Sequence, residues 1–411
     1  VALAFASDLQ NGGPKPPREV VLVVLGKKVS ALLLAGATMT SMAAVSVATT
    51  AQSASGASSV NWAKVTQLTK TGPKSMTALI AAAKKEGHLN VIALPTNWAN
   101  YGAIMKGFTK KYHIKINSAN PEGSSAQEVT ALQVDKGRSS APDVIDVGTN
   151  YAITAQSSGL LTPYKVSTWN AIPSGLKQPK GYWFDDYGGY VAIGCDSTAV
   201  PTCPTSFTQL ATLAVKGSKY TVGLNDSPTA SASALAGVIA AAIATGGSIG
   251  NVAPGVTYFA NLNTAGTFVP GKSSLSTVQN HTTNIVIWWD YLQAGAISAA
   301  VTGWKIAVPT DAALGEYYSQ AIAKAAPDPA AARLWEEYLY SVAGQNGWLA
   351  GLARPVELAY MQAHGTANPA WVAKLPAVPK GVTLTYPTVA QITADATTVN
   401  NTWAAQLGGG G

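Results

Sequence analysis

The sequence predicts an α/β fold assembled from more than one unit, and three observations carry that reading. Strand-like and helix-like stretches alternate between residues 89 and 159, the pattern of a mostly parallel sheet with helices on its faces. The same alternation returns between residues 221 and 262. Between residues 284 and 339, strand ends, aromatic rings and a carboxylate crowd together, which suits a pocket with flat walls and a few polar groups. A length of 411 residues leaves room for two to three domains, and 47% hydrophobic against 11% charged residues is a globular balance.

Residues 1–26 contain the helix-breaking run 12–17 and read as extraneous to the fold. Lys27-Lys28, an apolar stretch and small residues at its exit then have the layout of a secretory signal, so 1–57 is expected to be a leader. An uncleaved membrane anchor is the alternative. Residues 58–86 are expected to hold two helices, 62–68 and 76–85, the second capped by Gly87. Strands follow at 89–94, 113–117 and 144–147. After the first, Asn97, Trp98, Asn100 and Tyr101 open a helix that runs to Lys111. Ser124 caps the next, with Val129, Leu132 and Val134 turned to a core. After the third strand, Thr149, Asn150 and Tyr151 open another. Ligands of parallel sheets sit at the carboxyl ends of strands, against helix N-termini, so the residues of the first and third turns are candidate binding residues. Ordinary N-capping is the alternative for each of these residues, and their recurrence at two turns favours binding.

Residues 181–194, GYWFDDYGGYVAIG, hold a strand at 191–193 beside Gly188-Gly189. Asp186 and Tyr187 are candidate site residues there, and Asp185 reads as a solvated loop acid. A helix at 205–213 and a strand at 221–224 lead to Ser227 and Thr229, a possible anion seat before the alanine-rich helix ending at 244; helix 256–262 follows. The strand 284–287 runs into Trp288, Trp289 and Asp290. Strands are expected at 304–308 and at 316–323, which contains Tyr317. Pro327-Asp328-Pro329 starts the helix 330–339. Helix and loop continue beyond Trp348 to a disordered tail at 408–411.

Trp289-Asp290-Tyr291, Val308-Pro309, YYSQAI, APDPAAARLWEEYL and Gly344-Gln345 form an ordered set. From about residue 87 to 403 the chain resembles the extracellular solute-binding proteins of ABC importers, in the branch that includes binders of spermidine, putrescine, ferric iron and aminoalkylphosphonates. The resemblance implies a periplasmic-binding-protein-like type II fold: two lobes with mixed, mostly parallel sheets joined by a hinge of two crossovers. Residues 87–187 and 289–350 would form one lobe, 190–285 the other, and 351–407 a C-terminal helical segment. Gly188-Gly189 falls at the first crossover, where glycines would absorb backbone change on closure. The implied partners are a small-molecule ligand and a membrane permease. The protein is expected to act as a monomer, without a cofactor or nucleic acid. Family members often carry a lipid-anchoring cysteine after Leu-Ala-Gly; here Leu34-Ala35-Gly36 is followed by Ala37, so an exported protein without that anchor is expected.

Net charge is +7, and removing residues 1–51 takes away four basic and two acidic residues to leave +5. No basic block interleaves with aromatics, which argues against nucleic acid. Cys195 and Cys203, the only two cysteines, are expected to pair in an exported chain. G-x-S-x-G, H-E-x-x-H and Walker A patterns are missing, so the chain reads as a receptor and not an enzyme. A glycoside hydrolase using Asp186 and Asp290, or a surface adhesin, are the alternatives.

For the ligand, a small amine-bearing solute such as an aminoalkylphosphonate ranks first, with Asp290 taking the ammonium and Asn97, Thr149, Ser227 and Thr229 the oxygens. A polyamine ranks second and ferric iron third. The leader reading predicts that secreted protein begins between Ala51 and Ser59; N-terminal sequencing that finds Lys27-Lys28 retained in the membrane fraction would favour the anchor.

Overall fold

The computed structural model describes residues 60–407; the expected leader and the tail at 408–411 lie outside the described residues. Eleven strands form two sheets: β1 (His88–Ile92) and β2 (Lys115–Ala119) make a parallel pair, and nine strands make the large sheet. The nine are β3 (Val144–Gly148), β4 (Leu161–Thr162), β5 (Phe184–Asp196), β6 (Val222–Leu224), β7 (Phe268–Val269), β8 (Ile285–Trp289), β9 (Trp304–Ala307), β10 (Gly315–Ala323) and β11 (Arg354–Pro355). The Asp143 N–H donates to the Asn90 carbonyl at 2.9 Å, tying β1 to the approach of β3.

The large sheet is two half-sheets sharing β5. Residues 184–190 of β5 pair with β10, which pairs in turn with β3 and β4. Residues 191–196 pair instead with β8 and β9, and β8 leads to β6 and β7. All thirteen residues of β5 are buried. Of the eight ladders in this sheet six are antiparallel and two parallel. The sheet is therefore mixed, as expected, but antiparallel pairing prevails, because β5 and β10 run against each other at its centre.

The helices form where caps and composition direct them. Ser75 caps Met76–Glu86, which ends at Gly87 in the left-handed region (φ 80°). Ser124 and Gln127 close a capping box on Ser125–Val134. Val129 and Leu132 of that helix are buried, but Val134, expected to join them, is 63% exposed at its last turn. Ser231 caps Ala232–Ala244, whose alanines let it pack closely on β8 and β5. The helix expected at 62–68 shrinks to the single turn Trp62–Lys64. Arg333 takes the carbonyls of Ala63 and Val65 at 3.1 and 2.7 Å, which removes them as helix acceptors.

A further difference concerns the second crossover. The strand near residue 284 does not return the chain to the first half-sheet. β8, the helical stretch after it and β9 pack together through Val286, Ile297 and Trp304, and the return comes at Gly315, where β10 begins opposite Tyr190. Gly188 and Gly189 lie inside β5, just before it passes from one half-sheet to the other. A Cβ at Gly188 would overlap the Glu316 carbonyl, and one at Gly189 the Asp290 carboxylate and the Tyr291 ring. Asp185, expected in solvent, is buried and accepts a hydrogen bond from the Ser319 hydroxyl. Beyond Trp348, β11 adds a strand to β5.

Cys195, near the end of β5, is bonded to Cys203 in the following loop, with Cα atoms 5.7 Å apart. None of the described helices is long and apolar enough to cross a membrane. Since the clash at Gly188 is with backbone, Gly188→Ala should cost about 1–3 kcal/mol, read as a lower urea midpoint at unchanged slope.

Candidate functional site

A cleft of about 390 Å³ opens where the two half-sheets meet. From the first side it is lined by Asn97 and Trp98 after β1, by Glu122 to Ser125 and Glu128 around a helix start, by Asp146 on β3 and by Tyr318 on β10. From the other come Asn225, Asp226, Ser231 and Ser233 around a second helix start, the segment Lys272 to Ser276, and Trp288 on β8.

Three rings meet in it. Trp98 lies edge-on to Trp288, with centroids 5.6 Å apart, and to Tyr318 at 5.8 Å. Such contacts between opposite walls give flat apolar faces that a cation or a small chain can lie against. The Trp288 indole N–H has no partner.

The floor is acidic. Asp146 is 6% exposed, and its Oδ2 accepts hydrogen bonds from the Tyr101 and Tyr187 hydroxyls at 2.5 and 2.9 Å. Tyr187 accepts in turn from the Trp98 indole N–H at 2.7 Å, and Tyr101 from the Gln320 amide at 3.1 Å. The Asp146 backbone N–H donates to Glu128 Oε2 at 3.1 Å. Asp146 Oδ1 has no partner at all. Burial pushes the Asp146 carboxyl up to about 7, against the pull of the two tyrosine donors. Burial, and then the neighbouring Asp146, holds Glu128 well above the usual carboxylate range. Among the described residues neither acid takes part in an ion pair.

Hydroxyls and amides surround this floor. Asn225, Ser231 and Ser233 bond to one another at 2.9 to 3.2 Å beside the start of Ala232–Ala244. Contacts also run from wall to wall. Lys272 Nζ donates to the Glu122 carbonyl at 3.0 Å and stands 3.4 Å from its carboxylate. The Tyr151 hydroxyl donates to the Thr229 carbonyl at 2.9 Å, and the Ala126 N–H to the Ala230 carbonyl at 3.3 Å.

Of the residues expected at the site, Asn97, Trp98 and Trp288 line the cleft. Tyr101, Tyr187 and Asp186 lie one layer behind it, fully buried, with Asp186 accepting from the Gln320 amide at 3.0 Å. The others are elsewhere. Asn100 donates to the Gly347 carbonyl at 2.9 Å, and Thr149 sits against Asp185 and Ser319. Asn150 and Tyr151 are outside the lining, as are Ser227 and Thr229, exposed and bonded to each other at 2.8 Å. Trp289 is core, 1% exposed. Tyr317 stacks on Tyr386, and strand alternation delivers Tyr318 to the cleft in its place.

Asp290, expected to hold a ligand ammonium, has a different employment. Its Oδ1 accepts from the N–H groups of Tyr190 and Tyr291 at 2.9 Å each, and its Oδ2 from the Arg354 guanidinium at 2.7 Å. It turns back onto β5 and is fully buried. Burial raises its carboxyl despite the adjacent guanidinium.

The acids that do reach the cleft, Asp146 and Glu128, were overlooked by sequence reasoning. The available signal was an aspartate inside the apolar strand VIDVG, where an ionisable side chain needs a reason.

A sequence model of the family described as bacterial extracellular solute-binding protein matches residues 139–380, more than half of the chain. Among solved structures, the periplasmic binding protein AfuA from Actinobacillus pleuropneumoniae, with exogenous fructose-6-phosphate bound, has a TM-score of 0.63 at 17% identity, covering 78% of this chain and 99% of its own. AgtB from A. tumefaciens R10, in complex with agropinic acid, has 0.61 at 14%, covering 78% and 98%. Iron-bound HitA from Pseudomonas aeruginosa has 0.58 at 18%, covering 78% and 99%. At such identities the likeness is one of fold: α/β, two lobes, type II periplasmic binding protein. No curated protein matches the chain.

Asp290 is thus predicted to govern stability. Asp290→Asn, which leaves Arg354 buried without its counter-charge, should lower unfolding free energy by about 3–5 kcal/mol, measured by urea denaturation.

Proposed function

The chain belongs to the bacterial extracellular solute-binding proteins, the binding components of ABC importers, and on that premise we propose that it captures a small amine-bearing solute. The observation that carries this reading is Asp146: a buried carboxylate with one unpartnered oxygen, set in a cleft walled by Trp98, Trp288 and Tyr318. An ammonium fits that oxygen as a hydrogen-bond donor and fits the ring faces through cation–π attraction, worth about 0.5–2 kcal/mol.

The rest of the cleft supports an anionic or polar group on the same solute. Two helix starts, capped by Ser124 and Ser231, and the Lys272 ammonium line it. An aminoalkylphosphonate has this division of charge. A polyamine is the second reading, favoured by Glu122 and Asp226, which extend the acidic lining beyond the floor. For ferric iron the lining supplies a single tyrosine, Tyr318, and no histidine, which gives that reading little support.

In this reading the lobes divide at the two crossovers of the sheet: residues up to about 187 together with 315–350 in one, and 191–308 in the other. The contacts of Lys272 with Glu122 and of Tyr151 with Thr229 then belong to a closed form. Ligand that touches both walls favours closure, and the closed form is what the permease would recognise. We take the exported protein to be a monomer without a lipid anchor.

Calorimetric titration with putrescine, spermidine, 2-aminoethylphosphonate and ferric citrate tests the assignment. At least one amine should bind, and Asp146→Asn should weaken it by tenfold or more, given the cost of losing a buried charged partner. Binding of ferric citrate alone, or amine affinity unchanged by Asp146→Asn, would overturn it.

A further inference from the structure

The floor of the cleft holds more carboxylates than a cation site needs, and among the described residues none of them forms an ion pair, although the Arg333 guanidinium is near enough to Glu336 to draw its carboxyl down. Glu128 and Asp146 are 2% and 6% exposed and joined by the Asp146 N–H to Glu128 Oε2 bond. Beneath them Asp186 and Glu336 are fully buried, and both Glu336 oxygens are without partners. Four ionised carboxylates cannot stand together in a buried place without counter-charge. The floor must therefore carry protons whenever the cleft has no cation in it.

We propose that amine capture in this cleft is an exchange of cations, in which the arriving ammonium displaces a proton from the Glu128–Asp146 pair into solvent. This rests on the amine reading above. The ammonium keeps all its hydrogens and donates to Asp146 Oδ1, the carboxyl O–H bond breaks, and the released proton leaves through the cleft to water. No bond within the ligand changes.

The groups facing Asp146 are consistent with a proton held there. Tyr101 and Tyr187 approach from the helix Tyr101–Tyr112 and from β5, and both donate to the same oxygen, leaving Oδ1 as the position for a proton or a ligand. Glu128 faces it from the helix Ser125–Val134, Asp185 and Asp186 from β5, and Glu336 from Pro329–Leu339. Tyr318 of β10 and Tyr291 complete the surroundings. Every one is acidic or a neutral phenol; of the cations nearby, Arg333 acts on Glu336 while bonded to the carbonyls of Ala63, Val65 and Pro329, and Lys272 is engaged by Glu122. The carboxyl of Asp146, pushed up to about 7 by burial, titrates where the exchange is measurable.

The sign follows from linkage. The amine binds the carboxylate form, so affinity is full above that range and is lost as pH falls through it, by up to about tenfold per pH unit for one proton. The test is calorimetry of the wild-type protein with the amine that binds, at pH 6.5, in phosphate and in imidazole, whose ionisation heats differ. The expected result is a buffer-dependent binding enthalpy equivalent to about one proton released per site, with affinity rising from pH 5.5 and levelling above 8. Asp146→Asn should retain a weaker, buffer-independent enthalpy. Glu128→Gln, which keeps Asp146 but removes a neighbouring acid, should move the levelling-off to lower pH. Binding with the same enthalpy in both buffers and a flat pH profile overturns the exchange and leaves the amine receptor standing. Absence of binding by any amine overturns both.

Discussion

The structure depends on one buried strand. β5 runs thirteen residues without a break, pairing with β10 along its first half and with β8 and β9 along its second. A buried backbone must have its N–H and C=O groups bonded, and here the two half-sheets share that task along one chain segment. The closeness of the partners explains the residues. Gly188 lets the Glu316 carbonyl approach, Gly189 admits Asp290 and Tyr291, and Gly194 makes room for Gln293 and Trp304. Asp290 then fixes the crossover by bonding β5 at Tyr190 and receiving Arg354 from the segment of β11. The glycines are sites of close contact between the two half-sheets and the segments that cross between them.

The placement of charge separates two kinds of buried acid. Asp290 is matched by a guanidinium and by two backbone donors, so it contributes to architecture. Asp146 is matched by phenols, which stabilise a carboxylate without neutralising it, and its other oxygen is buried without a partner. A chain with only 11% charged residues places several of its acids in this one floor.

The alternation of strands and helices, the caps at Ser124 and Gly87 and the strand holding Tyr317 and Tyr318 were readable, since each rests on local periodicity or on a single residue's backbone preference. Strand direction was not. A run of β-branched residues has the same pattern whether its neighbour is parallel or antiparallel, and the order β3-β10-β5 joins segments more than a hundred residues apart. The site was legible as a place but not residue by residue. Trp98 and Trp288 were found because large rings near strand ends are conspicuous. Asp290 drew attention for the same reason, although Arg354, the partner that accounts for it, lies 64 residues away in the short strand β11. Asp146 was concealed by its surroundings, since an acid flanked by valines and isoleucine reads as part of a strand.

The shared strand also has a consequence for the order in which the molecule is made. β3 and β5 leave the ribosome well before β10, yet β10 lies between them and bonds to both. Until residues 315–323 are synthesised, the first half-sheet lacks its middle, and β5 has an open edge along residues 184–190. Pairings of such long range form slowly. The first half-sheet therefore closes late in synthesis, while the pairing of β6 with β7 and β8 does not depend on β10. The Cys195–Cys203 disulfide at the end of β5 suits the oxidising surroundings in which an extracellular family works.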